Sequence, residues 1–160
     1  MKPQLKLLGV LAIVLGAAST ARADSDGPRV EYLRPPGLFS SPMFSQLTTV
    51  REGKLVFVSG QVSWDDKGKP MHAGDLRAQT RQTFENVKLA LAAAGATIDN
   101  VVKFNIYVVG LDRDKWRVVA EERAKYINPA RAPASTMVGV PSLVLEEFLI
   151  EIEALAVVPD

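Results

Sequence analysis

Asp75 to Gly95 reads DLRAQTRQTFENVKLALAAAG, and Asn100 to Val109 reads NVVKFNIYVV. These two runs decide the fold. In the first, Leu76, Thr80, Phe84, Val87, Leu91 and Ala94 recur three and four apart, which is one stripe of a helix. Arg77, Arg81, Glu85 and Lys88 lie off that stripe. Asp75 can accept from the first free backbone N–H groups, and Gly95 stops the helix with a left-handed residue. The second run alternates. Val102, Phe104, Ile106 and Val108 form an apolar face, while Val101, Lys103, Asn105 and Tyr107 point the other way. A strand that is apolar on one side, next to a one-sided helix, predicts a helix-on-sheet α+β domain.

Working outward, Gln46–Val50 and Lys54–Val58 are short β-type runs parted by Arg51-Glu52-Gly53, which predicts a hairpin. Ser59-Gly60-Gln61 interrupts the second run, and Val62-Ser63-Trp64 resumes it. A glycine inside a strand marks a bulge or a close approach. A second, more charged helix is expected over 112–127, ended by Asn128-Pro129. The last strands are expected at 135–140 and 148–158, giving the order β-β-α-β-α-β-β. His72 is expected on a partly exposed strand, and Trp64 and Trp116 in packing roles. Residues 24–43, rich in Pro, Gly and Ser, read as an extended arm with room for one short edge strand near Val30, Tyr32 and Leu33.

The N-terminus reads as an export signal. Lys2 and Lys6 precede an uncharged 12-residue run, Leu7–Ala18, and Ala21-Arg22-Ala23 offers an Ala-x-Ala cleavage site. Twelve helical residues reach about 18 Å, short of a ~30 Å hydrocarbon core. The expectation is therefore cleavage after residue 23, with a periplasmic or secreted product and no lasting membrane association. A domain over 44–160 follows the arm.

The chain has 160 residues, no cysteine and one histidine, which excludes thiol chemistry, iron–sulfur clusters and a His-rich metal site within one subunit. Without residues 1–23 it holds 16 basic and 18 acidic residues, a net charge of −2. That balance gives no electrostatic case for nucleic acid.

The last strand holds the first chemical oddity. Phe148, Ile150, Ile152, Ala154 and Ala156 share one face, and Glu151 and Glu153 interrupt the other, between Leu149, Leu155 and Val157. A carboxylate in an apolar strand needs water, a partner or a ligand. Two readings stay open from the pattern: a wet or subunit-facing sheet surface with both acids paired, or acid–base chemistry.

Phe44-Ser45-Gln46, Leu55 to Gln61, Asp75 to Gly95, Asn100-Val101-Val102-Lys103 and Glu151-Ile152-Glu153-Ala154 occur in one order. As an ordered set they resemble the reactive intermediate deaminase (Rid, YjgF-like) family over residues 44–158. The resemblance implies a chorismate-mutase-like α+β fold with two helices on one sheet face. It also implies a homotrimer with small-molecule sites in clefts between subunits. The best-known subgroup hydrolyses enamine or imine intermediates to 2-keto acids and ammonia without a metal or organic cofactor. An arginine there holds the substrate carboxylate, and a glutamate handles water and protons.

Carried over by position, the glutamate is Glu151, the motif aromatic is Phe44 and the pocket glycine is Gly60. The family's Pro-Ala-Arg-Ser falls on Pro133-Ala134-Ser135-Thr136. Ser135 thus stands where the arginine would, with Thr136 and Met137 beside it as candidate cleft residues. Phe44 also lacks the tyrosine hydroxyl. A serine does not replace a guanidinium, and losing a buried charged contact costs about 2–5 kcal/mol. Arg131 is the nearby candidate to compensate. Two functions follow: an exported enamine or imine hydrolase with an altered substrate, or a non-catalytic trimer that binds a small ligand or acts as a chaperone-like protein.

Overall fold

The computed structural model describes residues 29–159; the expected export signal and the start of the expected arm lie outside the described residues. The elements are β1 (Val30–Leu33), β2 (Leu47–Val50), β3 (Lys54–Gln61), α1 (Leu76–Ala93), β4 (Val101–Val109), α2 (Arg113–Arg123), β5 (Ala134–Val140) and β6 (Ile150–Val158). Four strands form one sheet in the order β3-β6-β4-β5. Only β4 and β5 are parallel, and α2 makes the crossover between them. The antiparallel strand β6 sits between β3 and β4 and pairs with both.

The α1 reading holds. Asp75 caps the helix by accepting from the Ala78 N–H at 3.0 Å. Thr80, Phe84, Val87 and Leu91 are buried, and the last three share one core with Phe104, Ile106 and Val108 of β4 and Ile150 and Ile152 of β6. Burying each large side chain contributes roughly 1.5–3 kcal/mol, so this layer is the main source of stability. The Phe84 ring stacks on Tyr126 at 4.6 Å and meets Phe104 edge-on at 5.9 Å.

Five local expectations need correction. β2 does not pair back with β3. It pairs antiparallel with β1, Val30 opposite Val50, and forms a separate two-stranded sheet. Arg51-Glu52-Gly53 is thus a corner between two sheets. Gly53 has φ 121° there, and a Cβ would stand 2.7 Å from the Val157 side chain. β3 runs through Ser59 and Gly60 to Gln61 with a register shift, and Val62-Ser63-Trp64 does not resume it; only a bridge from Trp64 to Pro70 follows. β4 carries a register shift between Val101 and Lys103, so Val101, and not Val102, joins the helix-side core. α2 ends at Arg123, where the N–H groups of Lys125 and Tyr126 bond three residues back and tighten the last turn. His72 lies in an exposed turn at φ 59°, not on a strand.

Trp64 packs edge-on against Phe148 at 6.1 Å, whereas Trp116 is 54% exposed and does not serve the core. None of the described helices is long and apolar enough to cross a membrane.

Candidate functional site

The sheet has two unlike faces. α1 and α2 cover one. The other presents Leu55 and Phe57 of β3, Glu151, Glu153 and Leu155 of β6, Lys103, Asn105 and Tyr107 of β4, and Thr136 and Val138 of β5. Phe57 is 77% exposed on this open face.

The two acids of β6 differ. Glu153 is satisfied: it accepts from Asn105 Nδ2 at 3.2 Å and from the Tyr107 hydroxyl at 3.0 Å. Glu151 has no hydrogen-bond or ion-pair partner among the described residues. Its carboxyl group lies against Gly60, and a Cβ at position 60 would stand 2.7 Å from the carboxyl carbon. The β3 register shift between Val58 and Gln61 makes this contact possible, and with the Glu151 carboxyl in this position there is no room for a Cβ at residue 60. Partial burial raises the Glu151 carboxyl above its ordinary value of 4.5, and the neighbouring Glu153 charge adds to the rise. A half-buried, unpartnered carboxyl group with raised affinity for protons suits acid–base work.

Two buried amides of α1 hold this pair in place. Gln79 donates to the Glu147 carbonyl at 2.6 Å and accepts from the Leu149 N–H at 2.8 Å, fixing the chain just before Glu151. Asn86 donates to the Val62 and Trp64 carbonyls at 2.8 and 3.0 Å, fixing the chain just after Gly60. The recurring amides of the helix motif therefore position the site.

Phe44 and Ser135 form a second group. They line a cavity of about 290 Å³ with Met43, Trp116, Arg123 and Met137 among others. Ser45 pairs with Ala134, and its N–H donates to the Pro133 carbonyl at 3.3 Å, which lays Phe44 beside β5. Ser135 lies opposite Phe104, whose side chain is fully buried on the helix side, so it faces away from Glu151. β4 also stands between their strands. Thr136 points to the open face and accepts from Lys103 Nζ at 2.7 Å, so it does not line the Ser135 cavity. One protomer thus brings Gly60 to Glu151 and Phe44 to Ser135, but not the two groups together.

Arg131 does not line the Ser135 cavity of its own protomer. It lies 3.5 Å from Asp99 and borders a different cavity, with Arg29, Tyr32 and Glu52. The residue missed by sequence reasoning is Arg123. Trp116, Ala120 and Arg123 follow at spacings of four and three on α2, and all three line the Ser135 cavity. That stripe was the available signal. Among the described residues no group of three or more His, Cys, Asp or Glu side chains could hold a metal ion.

The family model described as Endoribonuclease L-PSP matches residues 39–158. A RutC family protein of Pyrococcus horikoshii is 36% identical over 67% of this chain and 82% of its own length. A 2-iminobutanoate/2-iminopropanoate deaminase of Salmonella typhimurium is 39% identical over 66% of this chain and 80% of its own length. A Rid-family protein of Yersinia pestis, YyfB, has a crystal structure that superposes with a TM-score of 0.77 at 32% identity, covering 82% of this chain and 100% of that one. With the two-helix, mixed-sheet fold and the Gly60–Glu151 contact, these similarities lead to one conclusion: the chain belongs to the YjgF/Rid family.

Proposed function

We propose that this protein hydrolyses a small enamine or imine in clefts between the subunits of a homotrimer, after export through cleavage at Ala23. The observation that carries the reading is the Glu151 carboxyl group, half-buried, unpartnered among the described residues and seated on Gly60. In this reading Glu151 takes a proton from water as its oxygen bonds to the imine carbon. It returns the proton to nitrogen. Glu151 then takes the hydroxyl proton of the resulting carbinolamine and passes it to the amino group, so the C–N bond breaks as the carbonyl forms and ammonia leaves. Every step moves protons through one carboxyl group, so no resident cofactor is needed. The deaminase name of the Salmonella typhimurium relative supports this reaction class.

The separation of the Glu151 and Ser135 groups on opposite sheet faces supports a cleft completed by a second copy, as do Leu55 and Phe57, 51% and 77% exposed on the open face. The neutral Ser135 favours a second reading, a trimer that binds a small molecule without turning it over. Turnover of wild type and Glu151→Gln across a panel of imines and enamines separates the two. Loss of ~10²–10⁴-fold in kcat with the fold intact supports hydrolysis. Unchanged turnover in the variant, or none by wild type with a small molecule recovered from the protein, rejects it.

A further inference from the structure

Arg123 is 5% exposed, and its charge has no counter-ion among the described residues. Its sequence neighbour Glu122 is engaged by Arg77, Arg81 and Lys125 at 2.6, 2.9 and 2.7 Å. Of the guanidinium nitrogens, Nη2 donates to the Met43 carbonyl at 2.9 Å, while the buried Nε has no partner. The Ser135 hydroxyl, on the same cavity, is also buried without a partner. A buried, unpaired guanidinium costs several kcal/mol unless an anion or further acceptors meet it. The Phe104 ring, 6.0 Å from Cζ, offsets only part of that cost. Burial alone lowers the Arg123 pKa to about 10, which leaves it charged at neutral pH.

The cavity holds about 290 Å³, and its other walls include Phe44, Trp116 and Met137. One cation, one hydroxyl and apolar walls suit a compact monoanion with a short hydrocarbon tail. A phosphate dianion would leave charge unmatched against those walls.

We infer that Arg123 of α2, with the Ser135 hydroxyl beside it, binds the carboxylate of the small molecule this cavity takes, supplying from a helix the guanidinium that position 135 of β5 lacks. Planar N–H donors match a carboxylate, and a hydroxyl adds a third donor. The inference rests on reading this cavity as half of the cleft, but it concerns binding and not turnover.

The test is calorimetric titration of the protein with 2-oxobutanoate, its methyl ester and inorganic phosphate. Wild type should bind the acid at least 10-fold more tightly than the ester or phosphate. Arg123→Met should abolish that preference, Arg123→Lys should keep part of it, and Ser135→Ala should weaken the acid about 3- to 10-fold. Equal binding of acid and ester by wild type, binding of neither, tighter binding of phosphate, or an undiminished preference in Arg123→Met would each overturn the assignment. Should Arg123→Met not fold by circular dichroism, the wild-type comparison and Ser135→Ala decide. If Arg123 instead pairs with a carboxylate of a second copy, the acid-over-ester preference will be absent and Arg123→Met will change the oligomeric state. Arg123-dependent acid binding without turnover of any imine would sink the hydrolytic reading and leave this one standing.

Discussion

The Glu151 carboxyl group occupies the space that a side chain at Gly60 would need: an added Cβ would stand 2.7 Å from the carboxyl carbon. Gly60 is not held at a positive φ, so alanine is tolerated by the backbone. The obstacle is the far end of a flexible side chain, which can move. Gly60→Ala should therefore fold, with a stability change within about 1 kcal/mol, while displacing Glu151. Turnover on an enamine or imine substrate should fall about 10²-fold. Thermal melting beside kinetics checks this; full activity in the alanine variant would show that the contact is incidental.

Glu151→Gln should have a pH-dependent effect on stability. The folded state raises the Glu151 pKa, so it binds the proton more tightly than the unfolded chain does. That stabilisation is fully present below the unfolded value and is lost as pH rises through the folded one. Glutamine has no charge to desolvate. The variant should match or exceed wild-type stability at neutral pH, and its advantage should vanish at acid pH. Denaturant melts at pH 4 and pH 7 give the answer; a variant less stable at pH 7 than at pH 4, relative to wild type, contradicts it.

Glu122 behaves in the opposite sense. Its side chain is fully buried and meets Arg77, Arg81 and Lys125, whose hydrogen bonds hold its pKa at about 2 despite burial. Those partners are 39–58% exposed, so solvent screens part of the attraction. Glu122→Gln should cost about 2 kcal/mol at neutral pH. The depressed pKa stabilises the fold above the unfolded value of 4.5 and loses its contribution as pH falls from there toward 2. Wild-type melts over that interval should show the decline, and the glutamine variant should show less of it.

Phe57, 77% exposed beside the 51% exposed Leu55, should be covered in the assembled protein. Light scattering should give about three times the chain mass. Phe57→Glu should shift the protein to smaller species and remove activity while preserving the circular dichroism spectrum. A wild-type monomer at micromolar concentration would end the trimer reading.

How far the sequence could be read depended on whether its signals were local. The α1 stripe from Leu76 to Leu91 and the β6 alternation from Phe148 to Ala156 are periodic over many residues, and both survive in the structure. Pairing is not local. Nothing between Gln46 and Val58 says that β2 takes β1 while β3 takes β6, about a hundred residues later. One-residue register shifts at Val102 and Gly60 are equally silent, although the glycine marks the second. In the site, Gly60 and Glu151 come together as the motif implies. Arg123 was hidden because a charged residue in a charged helix reads as solvated surface, whereas this one turns inward on the Trp116–Ala120 stripe.

The two sheet faces carry one last consequence, at the level of stoichiometry. If a working cleft takes Glu151 from one chain and Arg123 with Ser135 from its neighbour, a protomer defective in one half can lend the other. Mixing inactive Glu151→Gln chains with inactive Arg123→Met chains, then letting trimers reassort, should restore about one cleft in four for an equal mixture. Such complementation between two dead proteins would vanish if each chain carried a whole site. The sheet that keeps Glu151 and Ser135 apart would then make activity a property of the population of chains, rising steeply with concentration, and of no chain alone.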